Sequence, residues 1–532
     1  MPSGRAVMKA GGVAALLGAL WKSYEAANSF SWEDATESAL YQHWLSFCKS
    51  LVENGFVPQY LPVGVDGRPM AIPSTSPQVY AVPPRSVAKS RVLEPWQLGS
   101  LTLRNRVIRA AAFDGESEQE IIDTHVDLAK GGVGMTTLAY CSVSANGRTF
   151  DHQLVMEPSR VGFYKRLTSQ VHEHGAAISC QLTHGGSFAD RETIGEKQIA
   201  PSSVFNPAGF DFPREMTEQD LDKCAADFVA AAVMAKDVGF DCLEVHIGHG
   251  YLLSQFLSPK TNCRSDDWGG SIEGRVAFPV RCVKEIRAAI GPGMPIIVKL
   301  NMFDGMPGGL ELEESTIAAR ILAPHVSMLV LTVGFVSANA FYMLRGNTPQ
   351  EKLVQALPHT WKKLAMMTFG PLVVPSVEYE DCFLRDAARH ILREVGNTVP
   401  ICLLGGVNSF SQMEGAIEEG FEAVQMARLL IREPDFVNRI VATLRLQEET
   451  TPQNSSDSAQ DVVSKCIRCN MCVIATVDPH MSIGCPFRRG PVLSAEMMRE
   501  KILSEGGEDS VSRDIRDIED LVVEVAHGQG RM

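Results

Sequence analysis

The sequence predicts a (β/α)8 barrel of the TIM type, with an N-terminal helical extension and a C-terminal cysteine-cluster segment and tail. Eight short apolar runs alternate with helix-like stretches from Val92 onward, and eight βα units over about 350 residues is the count such a barrel needs. Two connections, residues 183–217 after the third run and 334–380 after the sixth, far exceed the usual loop of roughly two to six residues. Both run from strand to helix, so in a barrel they line the C-terminal face, where chemistry sits. A doubly wound sheet is the competing fold. It is weakened because no Gly-x-Gly-x-x-Gly turn opens any of these helices.

In chain order, residues 1–93 form an extension and linker. The first 24 carry Arg5, Lys9 and Lys22 and no acid, around an Ala/Gly/Leu-rich middle, which leaves both an organelle-targeting segment and an extra helix open. Residues 32–54 read as an amphipathic helix and 58–92 as an extended, Pro- and Val-rich linker. The barrel occupies 94–446, with strands expected at 106–111, 134–140, 177–182, 240–246, 295–300, 327–333, 400–404 and 422–426. The stretches 218–238 and 381–395 are examples of the intervening amphipathic helices. A linker at 447–462, a cysteine segment at 463–490 and a polar tail at 491–532 complete the chain.

Composition narrows the function. With 45% apolar and 21% charged residues, the 532-residue chain is too apolar for general disorder. A net charge of −14 argues against a nucleic-acid binder, which needs a basic stripe to displace counterions. No apolar run reaches the ~18 residues of a membrane span; the nearest is 11–21. Thirteen cysteines, an odd number without a secretory signal, point to a reducing intracellular compartment, most simply the cytoplasm.

The most informative segment is GFDCLEVHIGHGYLLSQFLSPKTNCRSDDWGGSIEGR, residues 239–275. Its strand ends in His246, and His249 and Tyr251 follow within one turn, delivering three polar rings to one barrel mouth. A lone histidine there would read as a satisfied structural residue; two imidazoles and a phenol do not. Further motifs follow barrel spacing: LGSLTLRNRV (98–107), CQLTHGG (180–186), IIVKLN (296–301), LLGGV (403–407) and VQMARLLIREPDF (424–436). Lys299 among Ile and Val needs a reason for burial, a carboxylate such as Glu244 being one.

Together these six motifs resemble the Old Yellow Enzyme / NADH:flavin oxidoreductase family. The resemblance implies an FMN-dependent oxidoreductase that takes hydride from NADH or NADPH and reduces an activated C=C bond in a small α,β-unsaturated carbonyl compound. It assigns His246 and His249 to the substrate carbonyl oxygen and Tyr251 to protonation of the substrate carbon. Gln181 meets the pyrimidine edge of the flavin, and Lys299 lies beside its N1 and O2. Gly405, Gly406, Ala427 and Arg428 form the phosphate corner after the seventh and eighth strands. Phe113 stands where trimethylamine dehydrogenase-like members attach flavin through a cysteine, which implies noncovalent FMN. The first strand, Arg109-Ala110-Ala111-Ala112-Phe113, departs from the family's Ala-Pro-Met-Thr-like run, Ser187 replaces a common Arg and Gly274 a common Asn, leaving redox tuning and substrate choice open.

Cys466, Cys469, Cys472 and Cys485 read C-x2-C-x2-C-x12-C. The pattern resembles the post-barrel [4Fe–4S] segment of the family's 2,4-dienoyl-CoA reductase and trimethylamine dehydrogenase branch. Iron–sulfur, structural zinc and no metal all stay open. Two further functions remain: an FMN/iron–sulfur dehydrogenase passing electrons to a separate carrier protein, and a non-catalytic barrel acting in assembly. Oligomeric state is not legible.

Overall fold

The computed structural model describes residues 86–504, apart from 116, 207–210, 340, 358–362, 364–366, 368–375, 451–460, 477, 479 and 489. The expected helix at 32–54, most of the linker before residue 93, the stretch 451–460 and the tail beyond 504 lie outside the described residues. Eight strands close into a barrel in which consecutive strands are neighbours, the last pairs with the first, and every pair is parallel. They are β1 (Val107–Arg109), β2 (Met135–Ser142), β3 (Ala177–Thr183), β4 (Cys242–Ile247), β5 (Ile296–Asn301), β6 (Met328–Thr332), β7 (Ile401–Leu404) and β8 (Ala423–Met426). Each falls on one of the eight expected runs. Parallel strands buried on both faces read as unbroken apolar runs, which is why they were visible.

Alternation along the strands sorts the core into two. Leu243, Val245, Ile247, Val298, Leu300, Leu329 and Leu331 point outward, into the large cluster under the helices. Cys242, Ile297, Met328, Val330, Cys402 and Ala423 point inward, into a smaller cluster. The antiparallel hairpin Trp96–Leu98 and Leu101–Leu103 closes the N-terminal end, adding Trp96, Leu98 and Leu103 to that inner cluster. The bottom of the barrel is therefore a dry plug, and the C-terminal mouth is what remains open.

The outer helices begin where capping chemistry dictates. Ser117 with Glu120 forms a capping box at Glu118–Lys130, and Thr217 with Asp220 another at Glu218–Asp237. The helix expected at 381–395 is Arg385–Val395, the four preceding residues being spent on a turn whose Cys382 has φ 51°. The connection after β3 carries a short helix, Arg191–Ile194, and a two-stranded parallel ribbon, Ile199–Ala200 with Arg214–Glu215. The one after β6 carries short helices at Val336–Asn339, Phe341–Leu344 and Gln350–Ala356. Phe188 of the first packs against Tyr251, and Val336, Met343 and Leu344 of the second line the mouth.

Candidate active site

A cavity of about 270 Å³ opens at that mouth, lined by Gln181, His246, His249, Tyr251, Lys299, Gly405, Gly406, Ala427 and Arg428. Those nine expected residues, from five strand ends, thus meet in one place. Of the four cysteines, only Cys466 reaches the cavity wall.

The floor is a charge network one layer above the plug. Glu244 on β4 is fully buried and pairs with Lys299 of β5 at 2.9 Å. Its two oxygens also accept from the amides of Gln181 (2.7 Å) and Gln425 (2.9 Å). A carboxylate so placed is tolerable only because three donors converge on it. The arrangement leaves the Gln425 carbonyl oxygen buried without a partner while its residue lines the cavity. It is a hydrogen-bond acceptor waiting for a donor.

Above the floor stand the three rings. His246 and His249 lie edge to face with centroids 4.8 Å apart, and Tyr251 is 4.8 Å from His246. His249 adopts a left-handed backbone, φ 60°, costly for a non-glycine residue. It is pinned there: its N–H donates to Asn301 Oδ1 (3.0 Å), its carbonyl accepts from Val336 N–H (2.9 Å), and its Nε2 bonds Thr332 Oγ1 (2.7 Å). Burial, more than any neighbour, holds both imidazoles neutral, His249 at about 3 and His246 well below its ordinary value with His249 and Lys299 adding to the effect. Burial likewise raises the Tyr251 phenol well above its usual range, and Tyr140, hydrogen-bonded to it, raises it further. The site offers neutral N–H donors beside a firmly protonated phenol.

The expected phosphate corner has the shape its glycines require. Gly405 and Gly406 have φ 98° and 79°, and a Cβ would meet Leu384 or the Cys382 backbone nitrogen at 2.6 Å. Arg428 is less free than its motif suggests, because its Nη1 donates to Arg345 O (2.8 Å) and Asn470 Oδ1 (2.7 Å). These residues fit FMN: an unpaired amide acceptor and a cation at the floor, small Ala110, Ala111 and Ala112 on one wall, and a glycine turn with arginine at the far end.

Next to the corner, Cys466, Cys469, Cys472 and Cys485 line one small cleft together with Arg428. Burial pushes the Cys472 thiol up to about 12 and Cys485 to about 11. Among the described residues no three His, Cys, Asp or Glu side chains are grouped so as to hold a metal ion.

Among the wall residues that escaped the sequence reading are Gln425, Tyr140, Thr332 and Arg468. Gln425 sits two residues after inward Ala423 and was findable by parity. Tyr140 was not. Leu138 pairs with Cys180 but Cys141 with Leu182, so an extra residue on β2 reverses the alternation and turns Tyr140 inward, 5.3 Å from the Tyr251 ring.

Residues 91–340 match the model of the NADH:flavin oxidoreductase / NADH oxidase family. The chain is 37% identical over 389 residues, 72% of its length and 92% of the relative's, to 4,4'-dithiodibutanoate disulfide reductase of Rhodococcus erythropolis. It is 30% identical over 421 residues, 76% of this chain and 56% of that protein, to an NADH oxidase of Thermoanaerobacter brockii. The old yellow enzyme homologue of Zymomonas mobilis shares the fold, with TM-score 0.53 and 20% identity over 69% of this chain and 94% of that one. The chain belongs to the NADH:flavin oxidoreductase / NADH oxidase family, a family of FMN-dependent NAD(P)H oxidoreductases. No helix among the described residues is long and apolar enough to cross a membrane.

Proposed function

We propose that this chain reduces the activated C=C bond of an α,β-unsaturated carbonyl compound at the expense of NADH or NADPH. The observation that carries the reading is the meeting of His246, His249 and Tyr251 over the Gln181–Glu244–Lys299 floor in one cavity. FMN, when bound, supplies the hydride carrier between the nicotinamide and the substrate. The neutral imidazoles of His246 and His249 donate N–H bonds to the carbonyl oxygen as negative charge builds on it. His246 Nδ1 is buried without a partner, so the ring is not committed elsewhere through that atom. Tyr251, held protonated by burial, delivers the proton to the substrate α-carbon. Lys299 keeps positive charge at the floor, and the Gln181 and Gln425 amides orient the ring system placed on it.

Anaerobic protein reconstituted with FMN should show two separable half-reactions. Tyr251→Phe should slow alkene reduction by about 10²–10⁴-fold while flavin reduction by NAD(P)H stays within about threefold. Equal loss in both would remove Tyr251 from the role of acid.

A second substrate class has a specific observation behind it, the 37% identity to a protein named as a disulfide reductase. The same phenol would then protonate a departing thiolate. Turnover of an aromatic or alkyl disulfide, set beside turnover of a cyclic enone, decides between the two.

For the cysteine cleft we infer a [4Fe–4S] centre rather than zinc. Zinc draws all its sulfurs to about 2.3 Å from one point, whereas a four-iron cluster gives each thiolate its own metal. The four cysteines lining one cleft, with a C-x2-C-x2-C-x12-C spacing that resembles the family's [4Fe–4S] segment, favour the latter. Because Cys466 also touches the main cavity, such a centre would serve a separate electron-carrier protein.

A further inference from the structure

The segment beyond the barrel contributes a charge to the main cavity that the barrel's own phosphate corner does not supply. Arg468, between Cys466 and Cys469, lines the same cavity as Gly405, Gly406 and Arg428. Its guanidinium lies 4.3 Å from the centroid of the Tyr379 ring, and that of Arg428 lies 5.9 Å from it. The Tyr379 hydroxyl donates to Gly406 O at 3.0 Å, which fixes the ring, and both cations on it, to the glycine turn.

The placement is over-determined. Arg468 and Asn470 both have left-handed backbones, φ 58°, a strained pair for non-glycine residues that persists only where the surroundings hold it. Asn470, 1% exposed, donates to Arg345 O (3.2 Å) and Asn347 O (2.8 Å) and accepts from Arg428. Gly346 leaves the room: a Cβ there would meet Arg468 O at 2.5 Å. One of the bonds that Arg428 makes, to Asn470, thus holds the loop that carries Arg468, and the other goes to Arg345 O, to which Asn470 also donates. Arg468 itself has a long ion pair to Asp381, 3.5 Å through one terminal nitrogen, and Asp381 also accepts from Gln412 (2.9 Å).

We propose that Arg468 is a second cation for the phosphate of FMN, working beside Arg428 at the Gly405–Gly406 turn. The inference rests on the reading of the cavity as an FMN site and deepens it. A phosphate dianion with its three oxygens can take backbone N–H groups from the turn and a guanidinium fork from each arginine. FMN binding and docking of the cysteine segment then become linked, since one residue serves both.

The test is a fluorescence titration of the flavin-free full chain with FMN and, separately, with riboflavin, which lacks the phosphate. Wild type should bind FMN far more tightly than riboflavin. Arg468→Gln should raise the Kd for FMN by roughly 10- to 100-fold, the size of a lost charge-assisted hydrogen bond, and change riboflavin binding by about threefold or less. Arg468→Lys should recover part of the loss. Equal weakening toward both flavins, or no weakening toward FMN, overturns the assignment of Arg468. Should Arg468→Gln not fold, Arg468→Lys carries the test, since a charge kept on a different geometry should still weaken FMN selectively. Failure of wild type to bind FMN at all would instead remove the FMN reading of the cavity, and with it this inference.

Discussion

Along β4 the inward residues are Cys242, Glu244 and His246; along β5 Ile297, Lys299 and Asn301; along β6 Met328, Val330 and Thr332. Two residues, one strand repeat, separate the apolar plug from the charge network, and two more separate that network from the rings at the mouth. Both regions are equally buried and are built by the same strands, yet one is held by packing and the other by complementary charge. The plug is closed by its hairpin and asks for nothing. The upper layers retain loose ends, notably Gln425 Oε1 and His246 Nδ1, and such ends in a native core mark the face that meets a ligand.

If charge complementarity holds the middle layer, removing its hub should cost most. Glu244→Leu strands Lys299 as a buried unpaired cation and leaves two amides without an acceptor. A loss of about 3–5 kcal/mol is expected in urea unfolding, and the double variant Glu244→Leu with Lys299→Met should recover much of it. A single variant as stable as wild type would mean that water or relaxation satisfies Lys299.

The plug should answer to volume alone. Ile297→Val, one layer below Lys299, removes one buried methylene and should cost ~0.5–1.5 kcal/mol, with flavin affinity unchanged. A clear fall in flavin affinity from so small a change at the bottom would show that the two regions are mechanically coupled and not independent.

The same contrast explains what could be read from the sequence. All eight strands were legible because both faces of each are apolar, and Gln181, His246 and Lys299 stood out as polar residues interrupting such runs near their ends. Glu244 was legible only as a partner, because its meaning depends on three donors brought from other strands. Tyr140 was hidden by an extra residue in β2 that no periodicity announces. Arg468 was hidden differently: it occupies a spacer position between cysteines, and its function follows from where the loop docks. Arg428 was legible as a cation of the phosphate corner, but not the part of its hydrogen-bonding capacity that is spent on that docking.

The smallest expected effect is a slope. His249 at about 3 and His184 at about 4 are held down by burial, whereas an unfolded imidazole titrates near 6.5. Below that pH the unfolded chain takes up protons that the folded chain refuses, so stability should fall as pH drops from about 6.5 toward 4. Asp304, raised by burial to about 6, has the opposite sign. Between about 4 and 6 the folded carboxyl keeps a proton that the unfolded one releases, which adds stability as pH falls. Asp304 receives Asn301 Nδ2 at 3.1 Å, and Asn301 in turn holds the His249 turn, so the two opposing groups sit two hydrogen bonds apart. Urea midpoints between pH 4 and 7 separate them: His249→Asn should flatten the acid limb, and Asp304→Asn should steepen it between pH 6 and 4. If His249→Asn leaves that limb unchanged, His249 takes up its proton in the folded protein as readily as in the unfolded chain. The neutral donor pair at the mouth would then be lost.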